Sequence, residues 1–229
     1  MLRMATLVSV ASLAIALTAN AETKAYDLGS FSKLDVSAGV TVVFEESETQ
    51  SITAENKNGN FDKLILTVKG DKLVVSRKSS GWFGGKAPDY TVTVSAPAVS
   101  AISASSGSRV DASGIVGSSV NVKVSSGANV DAANIEAGNI SLAVSSGSNL
   151  DVYGTCGSAS LSSSSGASLD ADELVCGAVS ASASSGASIT GHATQIVNGS
   201  ASSGASIKII GGATDVEVSK SSGGSVKVS

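Results

Sequence analysis

Histidine is almost missing from this chain, aromatic residues make up only 3% of it, and it has just two cysteines. The single histidine, His192, rules out a histidine cluster for a metal. A serine nucleophile needs a base held against it, and serines are so abundant that one near His192 carries no signal. No nucleophile elbow accompanies it. Cys156 and Cys176 form no CxxC pair. Phosphate-binding loops, dinucleotide fingerprints and calcium-binding nonapeptides are also missing. The residues therefore predict no enzyme, no catalytic residue, no metal and no cofactor. Helical periodicity is absent beyond the N-terminus, as are long apolar runs.

What the chain has is a repeat. Ser-Ser-Gly recurs with its glycine at Gly107, Gly127, Gly147, Gly166, Gly186, Gly204 and Gly223, in steps of 18 to 20 residues. A constant period near twenty predicts stacked units, none able to bury its apolar face alone. Three residues after each glycine stand Val110, Val130, Leu150, Leu169, Ile189, Ile207 and Val226. Their neighbours on either side are mostly polar, which is the alternation of a half-buried strand. A second alternating strand precedes each corner, clearest at 120–124 and 140–144. Each repeat thus reads as strand, glycine corner, strand and looser turn. The fold class is all-β, a parallel β-helix (solenoid) with coils of about 20 residues. Inward serines are expected to bond to each other or to backbone, since an unpaired buried hydroxyl costs roughly 1–3 kcal/mol.

Cys156 and Cys176 each lie ten residues before a corner glycine, so they fall in register on adjacent coils. Adjacent-coil spacing suits a disulfide, and the spacing predicts a Cys156–Cys176 bridge. Two stacked thiols are the alternative.

Residues 1–21 read as a signal peptide. Arg3 is followed by an apolar run from Leu7 to Leu17, then by small residues that place cleavage after Ala21. The run is too short to span a bilayer, and no membrane span is expected in the mature chain. An exported chain meets an oxidising compartment, which favours the bridge. Without Arg3 the chain has 14 basic and 19 acidic residues. That mild acidity argues against a nucleic-acid partner.

Residues 22–98 differ, holding seven of the eight aromatics. Strands are expected at 34–36, 40–44, 51–55, 64–68, 73–76 and 90–95, with Gly70-Asp71 as a tight turn. This N-terminal aromatic-rich capping region would close one end of the solenoid at 99–229. At the other end Lys220 and Lys227 would blunt the edge. Trp82 and Phe83, flanked by glycines, are either an exposed contact for a sugar or protein, or a flap folded over the cap.

One organised charge feature stands four residues after the glycines. It is a column of Asp111, Asp131, Asp151 and Asp170, continued by Thr190, Lys208 and Lys227. A solvated face explains it; a cation relieving the repulsion is the alternative. The outer row of the second strand carries Asn121, Ser141, Ser160, Ser180 and Asn198. It lacks the threonine arrays of an ice binder.

The segment Phe31-Ser-Lys-Leu-Asp-Val-Ser-Ala-Gly39-Val40-Thr41-Val42 resembles the putative auto-transporter adhesin, head GIN domain family, as do 90–97, 99–108 and the Ser-Gly corners. The resemblance spans most of the mature chain and implies a right-handed β-helix. It also implies an exported protein of a Gram-negative bacterium, in the periplasm or at the cell surface. The sequence printed here ends on a solenoid strand, so self-export through a barrel of its own is not expected. The reading is a non-enzymatic, adhesin-like or cell-envelope structural protein whose partner is a polysaccharide or a cell-surface protein. Its alternative is a carbohydrate-active β-helix enzyme of the polysaccharide lyase or hydrolase type.

Overall fold

The computed structural model describes residues 21–79 and 88–229. Among them, 17 strands join in one continuous sheet. The N-terminal strands are β1 (Glu22–Ala25), β2 (Lys33–Val36), β3 (Thr41–Glu46), β4 (Ser51–Asn56), β5 (Leu64–Lys69), β6 (Lys72–Arg77) and β7 (Thr91–Ala96). All six strands expected before residue 98 are present, and Gly70 makes the turn of the β5–β6 hairpin with φ 63°. Only β1 lacked a sequence signal, because its exposed residues do not alternate.

The repeats follow as β8 (Ala101–Ala104), β9 (Arg109–Ser113), β10 (Val116–Val124), β11 (Asn129–Val144), β12 (Asn149–Ser163), β13 (Ser168–Ala183), β14 (Ser188–Ala201), β15 (Ser206–Ile210), β16 (Asp215–Lys220) and β17 (Ser225–Val228). They wind as a β-solenoid of about six turns with coils of ~20 residues. Every pairing among β8–β17 is parallel. Equivalent residues lie side by side, as in Val130↔Leu150 and Leu150↔Leu169. The N-terminal strands form a curled mixed sheet on the first coil. There β2 and β3 pair in parallel with β8 and β9, and with β6 and β7 on their other side. Antiparallel β4 and β1 extend one face, and β5 extends the other.

The looser turn of the sequence reading is a third ladder. Residues 135–137 pair with 154–156, which pair with 174–176. The paired strands therefore run unbroken for up to 16 residues. The cause is a further inward anchor, Ile115, Ile135 and Leu174, each at most 1% exposed. Each coil then has a pre-corner face (140–144, for example), a post-corner face (129–133) and a side face (135–137).

The corners carry more than glycine. The second serine and the glycine of all seven are left-handed, with φ 46–57° for serine and 66–77° for glycine. In most corners the residue after the glycine donates its N–H to the first serine's carbonyl, as Ala128 does to Ser125 at 3.2 Å. This is the hydrogen bond and φ signature of a type I′ turn. The first six glycine N–H groups each reach across to the next coil, as Gly127 does to the Ser146 carbonyl at 3.2 Å. The corner needs both the left-handed backbone and the N–H. A Cβ on Gly147 would meet nothing within 4 Å. Gly147→Ala should therefore cost only the left-handed conformation, about 1 kcal/mol, in chemical denaturation. An unchanged midpoint would refute this account of the corner.

The core is thin and aliphatic, with Val122, Leu142, Leu161 and Ala181 stacked along the pre-corner face. Inward serines bond as expected. Ser108 Oγ donates to the Val36 carbonyl at 3.2 Å, and Ser148 Oγ to that of Val124 at 3.0 Å. Among the described residues no buried side-chain nitrogen or oxygen lacks a partner.

Candidate functional site

The outward columns are the chemistry this fold displays. On the post-corner face the second residue after each glycine forms one column. Within it Asn149 Nδ2 donates to Asn129 Oδ1 at 2.9 Å, and Ser188 Oγ to Ser168 Oγ at 3.1 Å. The fourth residue forms the next column, in unbroken register from Asp111 through Asp131, Asp151, Asp170, Thr190 and Lys208 to Lys227. The structure brings the four sequence-predicted aspartates together as a line, not as a converging cage. Among the described residues, no three His, Cys, Asp or Glu side chains are grouped to hold a metal ion.

Among the described residues, the ends of the acidic run carry an ion pair or hydrogen bonds, and Asp131 and Asp151 in its middle carry neither. Arg109 grips Asp111 with its Nη2 and Nε, at 2.9 and 3.2 Å. Thr190 Oγ1 donates to Asp170 Oδ1, and the Asp172 N–H donates to the same oxygen at 3.3 Å. Partial burial raises the Asp151 carboxyl above the usual carboxylate range, with Asp170 and Asp131 adding repulsion. Burial likewise raises the nearby Tyr153 hydroxyl, helped by the charges of Asp131, Asp151, Glu173 and Asp170.

A raised carboxylate pKa means the folded state holds its proton more tightly than the unfolded state. Asp151 thus lowers stability above its folded pKa, and this penalty fades as pH falls through the folded pKa and is gone below the unfolded value. Asp151→Asn should stabilise the protein by a few tenths of a kcal/mol at pH 7, with screening keeping the gain small. Thermal melts at pH 7 and pH 3 check this; a gain that persisted at pH 3 would contradict it.

Two grooves flank these faces. One, of about 520 Å³, is lined by Val43, Phe44, Glu45, Arg109, Asp111 and Asp131, among others. The other, of about 340 Å³, lies along the pre-corner face over Ser119, Asn139, Ser141, Ser158, Ser160, Ser180 and Asn198. A third hollow continues from Ser180 and Asn198 to Glu217 and Ser219. Together the last two make an open trough, lined by serine and asparagine side chains over small apolar ones, that crosses successive coils.

Cys156 and Cys176 are bridged, with Cα atoms 4.5 Å apart on the side face. Beside them runs a glycine column that the sequence reading passed over. A Cβ on Gly157 would sit 2.6 Å from the Gly138 carbonyl oxygen, and one on Gly138 would sit 2.8 Å from that of Ser118. The signal was available, since Gly138, Gly157 and Gly177 recur ten or eleven residues after corner glycines. His192 is a surface residue whose Nδ1 lies 3.1 Å from the Asp172 carbonyl oxygen. Trp82 and Phe83 lie outside the described residues. No helix among the described residues is long and apolar enough to cross a membrane.

Solved structures share this architecture. A protein of Bacteroides fragilis described as a putative adhesin superposes with a TM-score of 0.79 at 21% identity, covering 93% of this chain and 98% of its own. A protein of Parabacteroides distasonis described as a putative lipid binding protein gives 0.68 at 19% identity, covering 92% and 97%. A putative adhesin of Parabacteroides merdae gives 0.67 at 14%, covering 91% and 96%. At these identities the likeness is one of fold. No curated protein matches the chain. Residues 30–213 match the family described as putative auto-transporter adhesin, head GIN domain, and the chain belongs to that family.

Proposed function

We propose that this is an exported, non-enzymatic protein that binds at the bacterial cell envelope in the manner of an adhesin. The observation that carries the reading is the open trough over Ser141, Ser160, Ser180 and Asn198, which follow one another in register. It repeats hydroxyl and amide groups once per coil, at about 4.8 Å. A surface of that kind matches an extended polymer such as a polysaccharide, or a cell-surface protein, better than a small substrate that must be enclosed. The adhesin description of the family points the same way.

Export rests on residues 1–21 as a signal peptide cut after Ala21, and the disulfide agrees with it. Residues 22–98 act as the cap of a right-handed solenoid at 99–229. The antiparallel edges β1, β4 and β5 support that division, as do the buried Phe44 and Tyr90.

Protease treatment of intact cells, with immunodetection of this protein and of a periplasmic control, tests the setting. Loss of the protein while the control survives supports surface adhesion. Full protection of both would overturn a surface role.

A further inference from the structure

The post-corner face carries its charge in an order that solubility alone does not require. Along one in-register column the order is Asp111, Asp131, Asp151, Asp170, Thr190, Lys208, Lys227. Within this stretch the acid lies toward the N-terminal coils and the base at the C-terminal end, and beyond Asp111 the column runs on uncharged as Val43 and Thr93. No ion pair reaches Lys208 or Lys227 among the described residues, and both are exposed.

We propose that this face docks against the same face of a second copy, with the two solenoids antiparallel. A two-fold axis along the strand direction, passing between the Asp170 and Thr190 rungs, maps the column onto itself end for end. Asp131 then meets Lys227 of the other copy, Asp151 meets Lys208, and Asp170 meets Thr190. Each contact occurs twice. Asp111 falls outside the overlap, and it is the aspartate already paired within its own chain, to Arg109. The neighbouring column passes Asn129 against Ser225, Asn149 against Ser206 and Ser168 against Ser188, all small and polar. A parallel arrangement would instead set aspartate against aspartate.

The size of the face sets the strength. Six overlapping rungs at about 4.8 Å and a strand length of about 17 Å give roughly 500 Å² per copy, or about 1,000 Å² in all, the range of weak, reversible complexes. With a polar, charged surface the association should be salt-sensitive. It leaves the serine trough on the pre-corner face free, and an antiparallel pair suits molecules projecting from opposed surfaces.

Sedimentation velocity of the mature protein, from micromolar to millimolar concentration at low and high salt, tests the proposal. The expected result is a monomer–dimer equilibrium at low salt that weakens at least tenfold at high salt. The Lys208→Glu/Lys227→Glu variant and the Asp131→Lys/Asp151→Lys variant should each be monomeric with an unchanged far-ultraviolet dichroism spectrum. Mixing the two should restore dimers, because every reversed charge then faces its opposite. Lys123→Glu, on the pre-corner face, should leave the equilibrium unchanged. A monomer up to millimolar concentration at low salt would overturn the proposal. So would a dimer indifferent to the reversals, or variants that fail to pair on mixing.

Discussion

Gly154→Ala is expected to destabilise the solenoid by on the order of 3 kcal/mol or more. Two independent constraints meet at this position. Its φ of 143° lies where side chains are rarely tolerated. A Cβ there would also run into the backbone of Ile135 on the preceding coil, including its carbonyl oxygen. That backbone cannot yield cheaply, because Ile135 is fully buried and its strand is paired on both sides. Gly147→Ala is the built-in control, since the same exchange at a corner meets open space. Urea denaturation of the two variants side by side reads the difference. Equal losses would show that close approach of the coils on the side face plays no part.

Replacing both cysteines by alanine is expected to cost about 3 kcal/mol, the chain-entropy value for a loop of 20 residues. The bridge joins adjacent coils in the middle of the stack, so it opposes their separation more than it shapes either one. Both cysteines are replaced together because Cys176 is buried and a lone thiol there would add its own effect. The same loss should appear in the wild-type protein under a reductant, measured as a shift in denaturation midpoint. A midpoint unaffected by either treatment would mean that hydrogen bonding along the ladders alone holds these coils.

Much of this architecture was legible because a solenoid repeats its evidence. Val110, Val130 and Leu150 are buried at the same register for the same reason, so one alternation read seven times fixes strands, corners and stacking. Register set the two cysteines side by side on adjacent coils, and the oxidising compartment of an exported chain favoured the bridge over two thiols. The side-face ladder was missed because it shows few inward residues, Ile115, Ile135 and Leu174 with Cys176, too few for an alternating pattern. The left-handed serines were missed because serine is not a residue chosen for that conformation; only the two-residue turn demands it. The Asp column was read as a row. Its pairing with Arg109 at one end, and with Thr190 at the other, needed side-chain geometry. The proposed binding surface was the least legible part, since Ser141, Ser160 and Ser180 are ordinary residues made distinctive only by lying in one trough.

The central claim is that the faces bind without turning anything over. Its most direct test is to incubate the purified mature protein with a panel of acidic and neutral envelope polysaccharides. Retention on the polymer and release of reducing or unsaturated ends are then measured in the same samples. The account predicts retention, weakened by bulky substitutions in the trough such as Ser160→Trp, with no product formed. Product that accumulates with time and disappears in Asp151→Ala or Asp170→Ala would contradict it and make the protein a carbohydrate-active enzyme.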